Sequence, residues 1–140
     1  MIIKQLTVFL ENKSGRLSEV TKVLGNNDIN ISALSIADTS EYGLLRLIVS
    51  DGEKAVTLLK ENGFSVNLTD VICLSVKHTP GTLHEAIKTL ASADVSVEYM
   101  YAYAVGDNAA VIMKVSDSEE AINILSQNNI DLLKSDDVCV

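Results

Sequence analysis

Asn12, Ser14, Gly15, Arg16 and Leu17 form a polar turn that runs into an apolar helix face, in the stretch ENKSGRLSEVTKVL (11–24). A helix N-terminus presents unpaired backbone N–H groups and a partial positive charge, and a carboxylate fits there. A glycine at the entry permits unusual φ/ψ values and lets a ligand approach the backbone. The N–H groups of Gly15, Arg16 and Leu17 would receive such a carboxylate. The amides of Asn12 and of Asn30 both donate and accept, which suits a zwitterion. The bland alternative is a glycine required only by a tight turn, with Asn12 and Asn30 as ordinary loop residues.

The chemistry on offer is binding rather than bond making. The chain contains no GxSxG, P-loop, GxGxxG or HExxH pattern. Its only histidines, His78 and His84, are six apart and have no cysteine pair beside them, which is not zinc-site spacing. Serines and acids are plentiful, but none forms an evident nucleophile–base arrangement with those histidines. No catalytic residue, metal or cofactor is expected, and the chain is not expected to be an enzyme.

The turn is written twice. Sliding the chain by 66 residues aligns 11–66 with 77–132 without a gap, and KHTPGTLHEAIKTL falls on the first loop and helix. Gly15/Gly81, Leu17/Leu83, Glu19/Glu85, Asp28/Asp94, Asp51/Asp117 and Asn62/Asn128 are among the identities, and Asp70/Asp136 with Cys73/Cys139 extend the register. Two copies at so long a period mean a duplicated domain rather than a solenoid. The expected division is 1–69 and 70–140. No Gly/Ser-rich linker separates the halves, so the joint near Asp70 is expected to be tight.

The elements that would position the turn follow from periodicity. Ile2, Leu6, Val8 and Leu10 fall at alternate positions, sharing a face with the stem of Lys4, and predict a strand buried on one face. Leu17, Val20, Val23 and Leu24 have helical spacing, and Asn26, Asn27 and Asp28 end that helix. Residues 29–37 read as a strand, TSEYG as a turn and 44–50 as a hairpin partner. Ser50 with Glu53, and Ser116 with Glu119, fit capping boxes for a second helix, and a final strand follows. The order β-α-β-β-α-β is the ferredoxin-like unit. The fold class is therefore α+β, with two such units, each an antiparallel sheet covered by helices on one face.

These residues resemble the ACT domain: ENKSGRL after a strand, DINI opening the second strand and YGLLRLIV in the third, then HTPGTL, DVSV and AAVIMKV in the second copy. The resemblance covers essentially the whole chain as a tandem pair. It implies a regulatory module that binds an amino acid or similar effector between the first loop of one unit and the second strand of its neighbour. It places ligand contacts at the positions of Asn12 and Asn30. The second copy departs from this, with His78 and Ser96 there, and with Pro80-Gly81 where the first copy has Ser14-Gly15. By the same resemblance Tyr99 lies where ligands are contacted. Glu98 stands where Ser32 stands and would take the ligand's ammonium group if the second unit faces the first. The candidate ligand residues are thus Asn12, Ser14, Gly15, Arg16, Leu17 and Asn30, then His78, Pro80, Gly81, Glu98 and Tyr99. Tyr99, Tyr101 and Tyr103 alternate along one strand, either as an aromatic wall or as core packing.

Bulk properties narrow the partners. The chain has 140 residues, 47% hydrophobic and 21% charged, with a formal net charge of −8. That balance argues against nucleic acid or an anionic membrane as partner. No apolar run approaches the ~20 residues of a membrane span. Cys73 and Cys139 make no disulfide framework and read as small buried hydrophobes at equivalent strand positions. A cytoplasmic protein is expected. Exposed sheet edges predict a homodimer, and a partner enzyme would read the effector-bound state. Two rival readings stay open: a small enzyme, since ferredoxin-like folds do host catalysis, against which the missing nucleophile–base pair weighs, and a subunit that regulates by contact and binds no ligand.

Overall fold

The computed structural model describes residues 1–38 and 41–140. The expected TSEYG turn includes Thr39 and Ser40, which lie outside the described residues. The chain divides into two compact units. The first comprises Lys4–Thr69 with Val138–Val140, and the second Asp70–Asp137 with Met1–Ile3. Relative to a 1–69 and 70–140 division, the two ends of the chain are exchanged.

In the first unit, β1 (Ile3–Glu11), α1 (Arg16–Gly25), β2 (Ile31–Asp38), β3 (Tyr42–Val49), α2 (Gly52–Glu61) and the opening of β4 (Ser65–Lys77) follow the expected order. The sheet order is β2-β3-β1-β4. Leu6 pairs with Leu47 and Val8 with Leu45, antiparallel. These side chains meet Val20 and Leu24 of α1 and Ala55 and Leu59 of α2 in one core. The second unit repeats this with the rest of β4, α3 (Thr82–Ser92), β5 (Val97–Val105), β6 (Asn108–Val115), α4 (Ser118–Gln127) and β7 (Asp131–Leu132). There β5 pairs β6, β6 pairs β4, and β7 pairs β4. Ile72, Leu74, Val111, Met113 and Val115 form its core with Ala86 and Leu90 of α3 and Ala121 and Leu125 of α4. Two ferredoxin-like α+β units are therefore present. β4 runs unbroken through Asp70.

Several local expectations change. β1 was expected to bury one face, with Ile2 and Lys4 on the core side. Both are exposed, while Gln5 is fully buried on the other face. Gln5 Nε2 donates to Thr7 Oγ1 at 3.0 Å, and the Thr7 and Thr69 hydroxyls share a bond of 2.9 Å. Hydrogen bonding of this kind is what allows polar groups to be buried there. The second helices are capped by Asp51 and Asp117, whose carboxylates accept from Lys54 N and Glu120 N, both at 3.0 Å. Ser50 and Ser116, one residue earlier, instead accept from Asn30 N and Ser96 N. The final strand of the second unit is only two residues long, followed by a short α5 (Ser135–Val138). Cys73 is buried in β4 as expected, but Cys139 is half-buried and lies outside any strand. Among the described residues, no helix is long and apolar enough to cross a membrane.

Candidate functional site

The β1–α1 and β4–α3 loops are one structure built twice. Lys13 N donates to Glu11 O at 2.7 Å, and Thr79 N to Lys77 O at 2.8 Å. Asn12 N donates to Glu41 O, as His78 N does to Asp107 O, which ties each loop to the hairpin beside it. Gly15 and Gly81 are the N-caps, with φ of 90° and 91°, and neither helix start has a side-chain cap. That left-handed backbone strongly favours glycine, and φ near 90° lies beyond the 54–58° that Asp28, Asp94 and Asn129 adopt. Nothing lies within 4 Å of where a Cβ would stand on either. Their requirement is thus conformational rather than steric.

Each loop faces a cleft against the second strand of its own unit. In the second unit the cleft holds about 580 Å³ and is lined by Val76, His78, Pro80, Leu83, Ala102 and Val111, with Lys77, Thr79 and Thr82 at the loop. In the first it holds about 360 Å³, lined by Leu10, Glu11, Asn12, Lys13, Arg16, Leu17, Ile36 and Gly43. Every one of these eight residues has its counterpart, 66 positions on, in the lining of the larger cleft. The size difference has a visible origin. Ile36 stands where the second unit has the smaller Ala102. Charges also crowd the first cleft: Lys13 Nζ lies 2.8 Å from the Glu11 carboxylate, and this hydrogen-bonded ion pair holds the Glu11 pKa below the usual carboxylate value. Both volumes fall in the range of small-molecule sites.

The expected ligand residues separate into two groups. Asn12, Arg16 and Leu17 line the first cleft, with Ser14 and Gly15 in the same loop. His78 and Pro80 line the second, beside Gly81. Asn30, Glu98 and Tyr99 lie elsewhere. Asn30 is six residues before Ile36 along the strand, about 20 Å at ~3.3 Å per residue. Glu98 and Tyr99 stand four and three residues before Ala102 along β5, about 13 and 10 Å at ~3.3 Å per residue, and neither lines the second cleft. No single unit brings Asn12 and Asn30 onto one amino-acid-sized ligand. The Arg16 guanidinium lies 4.3 Å over the Phe64 ring and 2.7 Å from the Glu19 carboxylate.

Leu17, on the apolar face of α1 by spacing, is 41% exposed and lines the first cleft. Residues missed from the sequence are Ile36, Ala102 and Val111, whose type signals only strand. The tyrosines are half-buried and alternate with exposed Met100, Ala102 and Ala104. A bulge between Val97 and Tyr99 turns them opposite Lys114, Ile112 and Ala110, away from the helix-side core. Among the described residues, no three His, Cys, Asp or Glu side chains gather as a metal site.

A family model described as an ACT domain pair matches residues 1–140. No curated protein matches the chain. Among solved structures, a protein from Bacteroides thetaiotaomicron is 46% identical with a TM-score of 0.96, over 99% of this chain and 96% of that one. The ligand-free regulatory subunit of aspartate kinase from Thermus thermophilus is 16% identical with a TM-score of 0.68, over 90% of this chain and 92% of that one. The corresponding subunit from Thermus flavus is 17% identical with a TM-score of 0.60, over 91% and 94%. At such identities the last two show likeness of fold alone.

Proposed function

Because this chain belongs to the family of ACT domain pairs, we propose that it is a regulatory protein that senses an amino acid or similar small effector and modulates a partner enzyme. The observation that carries the reading is the loop cleft of the second unit, of about 580 Å³. Val76, Leu83, Ala102 and Val111 offer an apolar wall, while Lys77, His78 and Thr79 offer polar groups at one end. That combination suits an effector with an apolar side chain and a charged head. The first cleft is smaller and carries Glu11, Lys13 and Arg16 on its lining, so it would take a different ligand or take the same one more weakly. Effector binding would act on the partner through the difference in affinity between two states of the protein. A homodimer is part of the proposal: β2 is a sheet edge, and Leu34 and Ile36 on it are 51% and 50% exposed.

The test is a thermal-shift screen of the pure protein against the twenty amino acids at millimolar concentration. A ligand at ~100 times its dissociation constant adds ~2.7 kcal/mol and moves the melting point by several degrees. The shift should disappear in Ala102→Ile, which gives the second cleft the residue of the first, and persist in Ile36→Ala. A hit that survives Ala102→Ile would place the ligand elsewhere, and no hit at all would reject an amino-acid effector.

A further inference from the structure

The start of β2 already has an occupant. We propose that Val138–Val140 is a built-in ligand of the first unit, which closes the Asn30–Ser32 donor pair to any other carbonyl or carboxylate. The Val140 oxygen accepts from Asn30 Nδ2 at 2.6 Å and from Ser32 Oγ at 3.0 Å. Val140 N in turn approaches Ser32 Oγ at 3.4 Å. Two side-chain donors converging on one oxygen is the way a carboxylate or carbonyl is held by a protein. The segment is anchored next to this contact by Val138, which is fully buried.

The donor pair is set in place by the fold. Asn30 N donates to Ser50 Oγ, and Ser50 N returns a bond to Asn30 O, both at 3.0 Å. This clamp fixes the backbone from which the Asn30 amide projects. The second unit has the same clamp between Ser96 and Ser116. However, Ser96 and Glu98 replace Asn30 and Ser32 there, and an ionised Glu98 only accepts hydrogen bonds. The clamp is therefore common to both units, whereas the acceptor-binding pair exists in the first alone. The repeat register reinforces the contrast. Val138–Val140 correspond to Ile72–Leu74, which pair with β6 inside the sheet of the second unit. The later copy of this stretch has left strand register and lies on Asn30 and Ser32 instead.

The consequence is a latent site. An external ligand reaches Asn30 and Ser32 only in molecules whose segment has lifted off, and its apparent affinity falls by that fraction. This inference does not depend on the cleft of the second unit.

Nuclear magnetic resonance on the full chain tests it. Asn30→Asp replaces a donor by an acceptor and should release the segment. The backbone order parameter of Val140 should fall from the rigid range near ~0.85 to below ~0.6. A chain ending at Val138 keeps the buried valine but lacks the competing oxygen. In that chain the Asn30 side-chain amide should respond to sodium acetate at least tenfold more strongly than in the full chain. An unchanged order parameter in Asn30→Asp would overturn the contact. An equal acetate response in the two chains, including none in either, would overturn the closure.

Discussion

Gly15→Ala and Gly25→Ala place the same methyl group at opposite ends of α1, and they should move stability in opposite directions. Gly15 has φ of 90°, and no atom lies within 4 Å of the added carbon, so the cost is backbone conformation alone. A left-handed residue with a Cβ costs ~1–2 kcal/mol. The loss of unfolded-state freedom returns ~0.4–1 kcal/mol, leaving a net destabilisation of about 1 kcal/mol. Gly25, the last residue of α1, likewise has open space around its Cβ position but no left-handed φ. Alanine there should stabilise by about 0.5–1 kcal/mol, from helix propensity and the same unfolded-state effect. The gap between the variants is then about 2 kcal/mol, roughly thirtyfold in the folding equilibrium. Urea denaturation followed by circular dichroism would read it as a midpoint difference of about 1 M, at m near ~2 kcal/mol/M. Gly81→Ala, at φ of 91°, should behave like Gly15→Ala. Equal midpoints for Gly15→Ala and Gly25→Ala would refute the claim that the loop needs a left-handed residue. It would also remove the physical reason for a glycine in both copies.

Other outcomes follow from the same geometry. Leu24→Ala and Leu90→Ala empty fully buried positions under equivalent helices, and each should cost ~2–5 kcal/mol by urea unfolding. Asp51→Ala and Asp117→Ala remove helix caps that bond Lys54 N and Glu120 N, and each should cost ~1 kcal/mol. The pKa of Glu11 is lowered by its hydrogen bond and charge contact with Lys13. Its stabilising effect is therefore present above the unfolded carboxylate pKa and is lost as pH falls through the lower folded value. Lys13→Met should raise the Glu11 pKa in an NMR titration, and no rise would show that the pair does not form in solution.

The sequence by itself determined the architecture. Hydrophobic spacing and turn residues are local signals, and the 66-residue repeat supplied each of them twice. Strand and helix order and the glycine junctions followed from it. The capping serines were misplaced by one residue because Ser50 and Asp51 are both good caps, and only the Asn30 backbone decides which is free. The clefts were half legible. His78, Pro80 and Leu17 announced themselves through the loop, whereas Ala102 and Ile36 are ordinary strand residues until the sheet sets them opposite it. Asn12 and Asn30 were paired by the resemblance to the ACT domain, which sets the loop of one unit against the second strand of its neighbour, and within one unit a strand length separates them. The contact of Val140 with Asn30 was beyond any sequence pattern. It joins residues 110 positions apart, and nothing local to either end encodes a hydrogen bond that exists only once the chain has folded back on itself.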